Sequence, residues 1–174
     1  RYFFHKNEDS FPCNIEDYIN CCDLYYDNNL VKKAGQFDHT NINEQKFKGI
    51  YSNTSLKDQQ DKWTLKHPNI NDFKSNLDDS QVYINDIVIN SNGDHQIHFI
   101  LYFATNTGYS ICGKNAGYHD ADLEHISIIT DSKYNIKKCY FGAHGSNDGL
   151  WVNKENLIFD SNNKLCVYVA KGSH

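Results

Sequence analysis

Apolar and polar residues follow a β-strand pattern in the second half of the chain, from about residue 82 onward. Val82–Ile89 and Gln96–Ala104 flank the turn sequence Ser91-Asn92-Gly93-Asp94, an arrangement typical of a β-hairpin. Further short apolar runs follow at Leu123–Thr130, Lys138–Ala143, Leu150–Val152, Leu157–Phe159 and Leu165–Ala170. Several short strands at this spacing predict an all-β fold, an antiparallel β-sandwich.

The first half of the chain has fewer regular patterns. An aromatic strand is predicted at residues 1–5, and a short helix is predicted from about Asn14. Asn14 is a favourable N-cap, and Tyr18, Cys21, Cys22 and Tyr25 repeat at helical spacing. Residues 27–81 are polar and predict a long loop region, with helix or loop both open around Leu56–Leu65. No linker divides the chain, so we expect residues 1–174 to form a single domain.

The composition narrows the class of protein. The chain has 174 residues, and its 39% hydrophobic and 14% aromatic content predicts a packed core. The net charge of -5 argues against a nucleic-acid binder, which usually carries a basic surface. No apolar run approaches the ~18 residues of a membrane span, so we expect a soluble domain, either endomembrane-associated or secreted. Methionine is absent, which indicates a processed product or a fragment of a longer chain.

Six cysteines leave the redox state open. They are Cys13, Cys21, Cys22, Cys112, Cys139 and Cys166. An even number permits three disulfides, but six cysteines allow ~15 pairings and the spacing selects none of them. Buried free thiols are the alternative, since Cys139 and Cys166 lie in apolar runs where cysteine behaves as a small hydrophobic residue.

The segment Gly117–Ile129 carries the candidate chemistry. Side chains alternate along a strand, so Asp122 and Glu124 share one face with Ile126 and Ile128. Two partly buried carboxylates repel each other and lose solvation, and a divalent cation compensates for both effects. Oxygen ligands suit Ca²⁺, Mg²⁺ or Mn²⁺, and an imidazole from His119 shifts the preference toward Mn²⁺ or Zn²⁺. The alternative is an edge strand whose acidic residues face water.

Four other residues are possible additions to this site. Asp120 and His125 lie within the same segment, and His144 and His174 each follow an apolar strand with glycines close by. The glycines permit a close backbone approach, so both histidines are candidates for one end of the sheet. A loop histidine without a function is the alternative for each. The chain contains no GxSxG, HExxH or phosphate-binding glycine loop.

Several ordered motifs resemble a known family. They are Tyr2-Phe3-Phe4-His5 with Glu8, Phe11-Pro12, Gly117-x-His119-x-x-Asp122-x-Glu124-His125, Ala143-His144-Gly145 with Trp151, and Val167-Tyr168-Val169-Ala170-x-Gly172-Ser173-His174. In this order they resemble the vacuolar protein sorting-associated protein 62 family, whose plant relatives are of unknown function. The resemblance spans nearly the whole chain and implies a role in membrane trafficking or at a membrane surface.

The central motif is also similar to the Gly-His-Arg-His-Asp-Trp-Glu heptapeptide of the necrosis-inducing Nep-like cytolysins. Those β-sandwich proteins hold a divalent cation and engage sphingolipid headgroups. The resemblance places the heptapeptide's first His, its Asp and its Glu at His119, Asp122 and Glu124. Leu123 stands where both families tend to have Trp, and Asp120-Ala121 replaces Arg-His. Toxicity is therefore not implied.

Three functions follow as hypotheses. The first is a non-enzymatic binding module whose cation or polar site recognises a glycan, a lipid headgroup or a protein. The second is a metal-dependent hydrolase in which the same ligands activate a water, with His144 or His125 as general base. In the third, His119, Asp122 and Glu124 form a hydrogen-bonded polar cluster that closes one end of the sheet structure.

Overall fold

The structure is a computed structural model that describes residues 1–8, 10–36, 62–70, 73, 75–106, 108–111, 114–117, 119–142 and 149–170. One short helix, α1 (Ile15–Asn20), and a 3₁₀ turn (Lys154–Asn156) accompany the strands. The strands are β1 (Tyr2–Phe3), β2 (Asp23–Tyr26), β3 (Asn29–Lys32), β4 (Trp63–Lys66), β5 (Tyr83–Val88), β6 (His95–Asn106), β7 (Tyr109–Ile111), β8 (Lys114–Ala116), β9 (His119–Thr130), β10 (Ile136–Phe141), β11 (Leu150–Asn153) and β12 (Val167–Tyr168). The predicted all-β class is confirmed.

The chain divides into two compact units, one made of Arg1–Cys13 with Ser75–His174 and the other of Asn14–Lys74. The first unit contains a five-stranded antiparallel sheet in the order β11-β10-β9-β6-β5. Its long strands β6 and β9 pair along almost their whole length, from His95 opposite Thr130 to Asn106 opposite His119. The arrangement of the sheets as a sandwich stays a prediction.

One face of the five-stranded sheet, which we call the inner face, is packed into a core. Ile126, Ile128 and Cys139 of β9 and β10 are buried there with Leu165 and Val167 from the last part of the described chain. Partly buried apolar residues complete this core: Tyr2, Phe99, Ile136, Phe141, Leu157 and Phe159. The inner face is therefore the one toward which the isoleucines of β9 point.

The beginning of the chain joins its last described strand. β1 and β12 run in parallel, with Tyr2 opposite Val167 and Phe3 opposite Tyr168. The amino group of Arg1 donates a hydrogen bond to the carbonyl of Leu165 at 2.7 Å, across 164 positions of sequence. This parallel pair brings Tyr2 and Val167 into the core of the inner face.

Two tight turns of the first unit use the same capping chemistry. The carboxylate of Asp131 accepts hydrogen bonds from the backbone amides of the residues two and four positions later, and Asp160 does the same. In each turn the residue before the last amide, Tyr134 or Asn163, has a left-handed backbone with φ near 60°. Side-chain capping by Asp stabilises such turns locally, so each reversal follows from its own sequence.

The second unit contains α1 and the three-stranded sheet β3-β2-β4. The predicted cap of α1 is confirmed, because the side chain of Asn14 accepts from the amides of Glu16 and Asp17. Tyr18 is fully buried, and its ring packs against the rings of His67 and Phe73. The helix ends at Asn20, so the predicted continuation of its repeat through Cys21, Cys22 and Tyr25 is wrong. Cys21 is the exposed C-cap residue, and Tyr25 lies in β2.

The prediction of a continuous polar loop over residues 27–81 is wrong in part, because β3 and β4 lie within it. Both are four-residue strands at the edges of their sheet, and every residue of β3 is exposed. Strands of four residues are too short for an alternating apolar pattern to stand out, and Leu24 of the central strand β2 is buried. The ambiguous residues 56–61 lie outside the described part of the chain.

The described cysteines are free thiols. Cys13, Cys21, Cys22, Cys139 and Cys166 form no disulfide, and Cys112 lies outside the described residues. Cys139 is fully buried, and burial raises the pKa of its thiol to about 12. The thiol therefore stays protonated and packs as an apolar group. Within the described ranges, no helix is both long enough and apolar enough to cross a membrane.

Candidate functional site

The pairing of β6 with β9 places two carboxylates on the inner face. Asp122 lies opposite Phe103 and Glu124 lies opposite Leu101. Directly opposed residues of an antiparallel pair point to the same side, and both Phe103 and Leu101 are buried. The side chains of Asp122 and Glu124 are themselves half-buried. The prediction that the two carboxylates share the core-facing side of one strand is confirmed.

A buried amide compensates Asp122. Nδ2 of Asn106 donates a hydrogen bond to Oδ2 of Asp122 at 3.0 Å. Asn106 is only 2% exposed, and its Oδ1 accepts from the backbone amide of Gly108 at 2.9 Å. The Asp122 carboxylate is therefore stabilised by a neutral donor that is itself held in place.

His119 and Asp120 begin β9 and are exposed. His119 pairs with Asn106 in the long β6–β9 ladder, so it belongs to the strand and not to a turn after Gly117. Ala121, between Asp120 and Asp122, has a left-handed backbone with φ 60°. The β6–β9 register continues unchanged on both sides of this residue.

The predicted metal ligands do not converge. Among the residues that the structure describes, no three side chains of His, Cys, Asp or Glu are grouped so that they could hold a metal ion. His119, Asp122 and Glu124 belong to that described set. The side chains as placed do not fit the proposed cation, and a site for Ca²⁺, Mg²⁺, Mn²⁺ or Zn²⁺ stays a prediction.

A pocket of about 180 Å³ opens beside Glu124. Its apolar lining comes from the core face and includes Leu101, Ile126 and Phe141. Glu124 contributes a carboxylate, and the other side of the pocket is formed by the β1–β12 pair. The full lining is Tyr2, Leu101, Glu124, His125, Ile126, Phe141, Gly142, Val167, Tyr168, Val169 and Ala170. A half-buried acid therefore lies beside an apolar cavity.

Tyr2 also lines the pocket, and its hydroxyl is buried. This hydroxyl has no hydrogen-bond partner within the described part of the chain. Burial raises the pKa of Tyr2, and the neighbouring thiol of Cys139 raises it further. A buried hydroxyl usually has a partner. An unpartnered one beside a cavity therefore indicates a place where a water or a ligand group binds.

His125 contributes to the pocket differently from Glu124. Its side chain points to the opposite, outer face, where its ring lies 5.8 Å from that of Tyr140. A Cβ atom at Gly142 would lie 3.0 Å from the carbonyl oxygen of His125 and 3.1 Å from its ring. A side chain at position 142 would therefore be crowded against His125, which favours glycine there.

The remaining predicted histidines cannot be placed. His144 and His174 lie outside the described residues, two and four positions after the pocket residues Gly142 and Ala170 in the sequence. Tyr2 and Tyr168 line the pocket, although the sequence pattern did not indicate it. No local signal reveals them, because they reach the pocket only through pairing of β1 with β12, which are distant in sequence.

Comparisons of the chain with protein-family models, with curated proteins and with solved structures found no match. The resemblance to the vacuolar protein sorting-associated protein 62 family therefore stays a prediction.

Proposed function

We propose that this chain is a non-enzymatic binding domain whose site is the pocket beside Glu124, and that it recognises one sugar unit of a glycan or one lipid headgroup. The observation that carries the proposal is a small cavity lined both by the half-buried acid Glu124 and by Tyr2, whose buried hydroxyl has no hydrogen-bond partner among the described residues. A glycan or lipid ligand is consistent with the predicted role at a membrane surface.

The size of the pocket favours a small ligand group. Pockets for drug-sized molecules usually measure ~300–1,000 Å³, and this one is about 180 Å³. It therefore suits one polar group carried by a larger molecule. The apolar lining from Leu101, Ile126 and Phe141 excludes water around that group, which strengthens its hydrogen bonds to the carboxylate.

The exposed residue Tyr168 is among those that line the pocket. Its ring is stacked on that of Phe3 with centroids 5.2 Å apart, and Tyr168 is 67% exposed. A carboxylate in a partly apolar pocket matches two kinds of ligand group. A sugar offers hydroxyl donors for the acid and an apolar ring face for the lining, and an ammonium headgroup offers a cation for the acid.

The described residues do not support serine-dependent hydrolysis of a ligand in the pocket. The outer face holds a serine–histidine pair, in which Oγ of Ser127 lies 2.7 Å from Nδ1 of His98. Ser127 is only 4% exposed and lies on the face opposite the pocket. It therefore cannot act as a nucleophile on a ligand held beside Glu124.

Two binding screens test the proposal. The protein is applied to an array of immobilised glycans, and it is sedimented with vesicles of phosphatidylcholine alone or mixed with phosphatidylserine or sphingomyelin. We expect binding in one screen and a loss of about 10- to 100-fold in affinity for Glu124→Gln, since a hydrogen bond to a charged group contributes ~1.5–3 kcal/mol. The matched control is Glu155→Gln, which changes an exposed glutamate of the 3₁₀ turn.

The outcome that contradicts the proposal is equally specific. Wild-type protein that binds no glycan and no vesicle, or a Glu124→Gln variant that binds like Glu155→Gln, shows that the pocket is not the site. The screen in which Glu124→Gln loses binding shows whether the ligand is a glycan or a lipid headgroup.

Calorimetry tests the predicted cation separately. Wild-type protein and the Asp122→Asn/Glu124→Gln double variant are titrated with Ca²⁺, Mg²⁺, Mn²⁺ and Zn²⁺. Binding that the double variant loses supports a cation at this site. If the two proteins respond equally in the titration and in their thermal midpoints, the cation prediction is wrong, and the binding proposal stands on the pocket alone.

A further inference from the structure

The strand β5 forms one edge of the five-stranded sheet. It pairs with β6, and no described strand pairs with its other side. The segment Val82–Ile89 that contains it is strongly apolar, and its apolar residues are exposed on both faces. Ile84 is 63% exposed, Val88 60% and Ile87 45%. A long edge strand with exposed apolar side chains is a site at which another strand pairs.

The hydrogen-bond register of the β5–β6 hairpin shows which backbone groups are available. The amide of Ile89 donates to the carbonyl of Asp94 at 2.8 Å, and the same register continues along the hairpin. Residues of an antiparallel strand bond alternately to the two sides. The amides and carbonyls of Ile84, Asp86 and Val88 therefore point away from β6, toward the free edge.

Edge strands are usually protected by charge, and β5 lacks this protection. The segment 82–89 contains no lysine, arginine or proline. Its one charged residue, Asp86, is directed back onto its own sheet, because Nδ1 of His95 lies 2.8 Å from Oδ1 and the hydroxyl of Tyr134 donates to Oδ2 at 3.2 Å. Both contacts hold the Asp86 side chain against its own sheet.

The opposite edge of the sheet, β11, is different. It has four residues, and Nζ of Lys138 lies 4.5 Å from the centroid of the Trp151 ring. The charged residues Lys154 and Glu155 follow directly in the 3₁₀ turn. Short length and neighbouring charges are the usual devices that prevent edge pairing. The edge at β11 therefore serves as the control for the edge at β5.

We propose that β5 pairs with β5 of a second copy of this chain, in antiparallel orientation about a twofold axis at Asn85. A twofold axis perpendicular to the sheet keeps the inner faces of both copies on the same side, and residues of equal parity then lie opposite each other. Asn85 faces Asn85 of the second copy, Val82 faces Val88, and Tyr83 faces Ile87. The pairing opposes apolar residues to apolar residues and removes the free edge from both copies.

The charge at Asp86 disfavours the register that is shifted by one residue toward it. An axis at Asp86 would place the two Asp86 carboxylates directly opposite each other, and like charges in that position are destabilising. With the axis at Asn85, Asp86 faces Ile84 of the second copy, and no like charges are opposed. The β5 strand of a second copy thus provides hydrogen-bond partners for the outward-pointing amides and carbonyls of the first.

Oligomeric state tests the inference. We expect the scattering mass of the wild-type protein to rise with concentration from 20.1 kDa toward twice that value across the micromolar range. In Val82→Lys/Val88→Lys, lysines oppose each other at two positions, and we expect dimerisation to weaken by more than about tenfold. Leu150→Lys, at an exposed position of β11, is the control and should dimerise like the wild type.

Two further measurements keep the test specific. Asn85→Asp opposes two carboxylates only in the proposed register, and we expect it to weaken the dimer several-fold. Amide exchange at Ile84, Asp86 and Val88 should slow as concentration rises, while the amides of Asn85 and Ile87 should not change. Circular dichroism of each variant verifies that it is folded.

Three results overturn the inference. The first is a wild-type protein that stays monomeric at high micromolar concentration. The second is a double-lysine variant that dimerises as tightly as the wild type. The third is a Leu150→Lys variant that dissociates as much as the double-lysine variant, since that result assigns the contact to the other edge. Glycan and vesicle binding at the Glu124 pocket is measured independently of all three.

Discussion

The Asn106 side chain reaches diagonally across the β6–β9 pair and donates a hydrogen bond to Asp122 at 3.0 Å, although Asn106 itself lies opposite His119. A residue of the His-x-x-Asp-x-Glu segment is therefore bound by a buried amide from the neighbouring strand. This contact explains how a half-buried acid is tolerated beside the core.

Asn106→Asp should destabilise the protein at neutral pH, because it places a second carboxylate within hydrogen-bonding distance of Asp122. We expect a loss of about 2–3 kcal/mol in the free energy of unfolding, measured by urea denaturation at pH 7. The loss should shrink in acid, where one carboxyl of the pair becomes protonated.

The exchanged variant Asn106→Asp/Asp122→Asn is the control. It restores one carboxylate and one amide, and it keeps an oxygen at position 106 for the amide of Gly108. We expect it to recover most of the lost stability. An Asn106→Asp protein as stable as the wild type, or an exchanged variant no better than the single one, contradicts the role assigned to this contact.

Ala121 should tolerate glycine better than a β-branched residue. Its φ of 60° lies in the left-handed region, which costs an L-residue about 1–2 kcal/mol and glycine almost nothing. We expect Ala121→Gly to raise the thermal midpoint slightly and Ala121→Val to lower the free energy of unfolding by about 1–2 kcal/mol. A matched pair at Ala104, where no positive φ occurs and the side chain is buried, should show no gain for glycine.

Tyr2→Phe should separate stability from binding. The variant removes a buried hydroxyl that has no partner in the described structure, and we expect the free protein to gain up to about 1 kcal/mol. The same change should weaken binding of the glycan or headgroup that the Glu124→Gln screens identify, because it removes a hydroxyl that can bond to the ligand. A Tyr2→Phe variant that is less stable than the wild type shows that the hydroxyl is already paired.

Alkaline pH should destabilise the core through Cys139. Burial raises the pKa of its thiol from 9.0 to about 12, so the folded state keeps a proton that the unfolded state loses. The stabilisation is fully present below pH 9 and declines between pH 9 and 12, by at most about 1.4 kcal/mol per pH unit. The raised pKa of Tyr2 acts in the same direction.

Thermal melting between pH 8 and pH 11 measures this effect. Cys139→Val keeps an apolar side chain of similar size and removes the titrating group, so we expect its thermal midpoint to fall less steeply with pH. Cys21→Ser changes an exposed thiol and should leave the wild-type slope unchanged. Equal slopes for all three proteins contradict a contribution from Cys139.

Local patterns accounted for the parts of the fold that depend on neighbouring residues. The hairpin of β5 and β6 followed from its turn sequence, and Gly93 has the positive φ that such a turn requires. The cap at Asn14 followed from its residue type. β3 and β4 could not be predicted in this way, because short, exposed edge strands carry little apolar pattern.

The candidate site divides in the same manner. Alternation along β9 alone determined that Asp122 and Glu124 share the face of Ile126 and Ile128, since the geometry of an extended strand allows no other arrangement. It could not show that Asn106 binds Asp122, because that contact depends on how β6 is aligned with β9.

The pocket itself was decided only by the tertiary structure. Tyr2 and Tyr168 lie at opposite ends of the sequence, and they meet Glu124 because β1 pairs in parallel with β12 over the inner face. The pairing of distant strands depends on how much apolar surface the whole core buries. A short stretch of sequence does not contain that information. The chain thus specifies its acidic strand locally, and the cavity beside that strand arises only when its two ends come together.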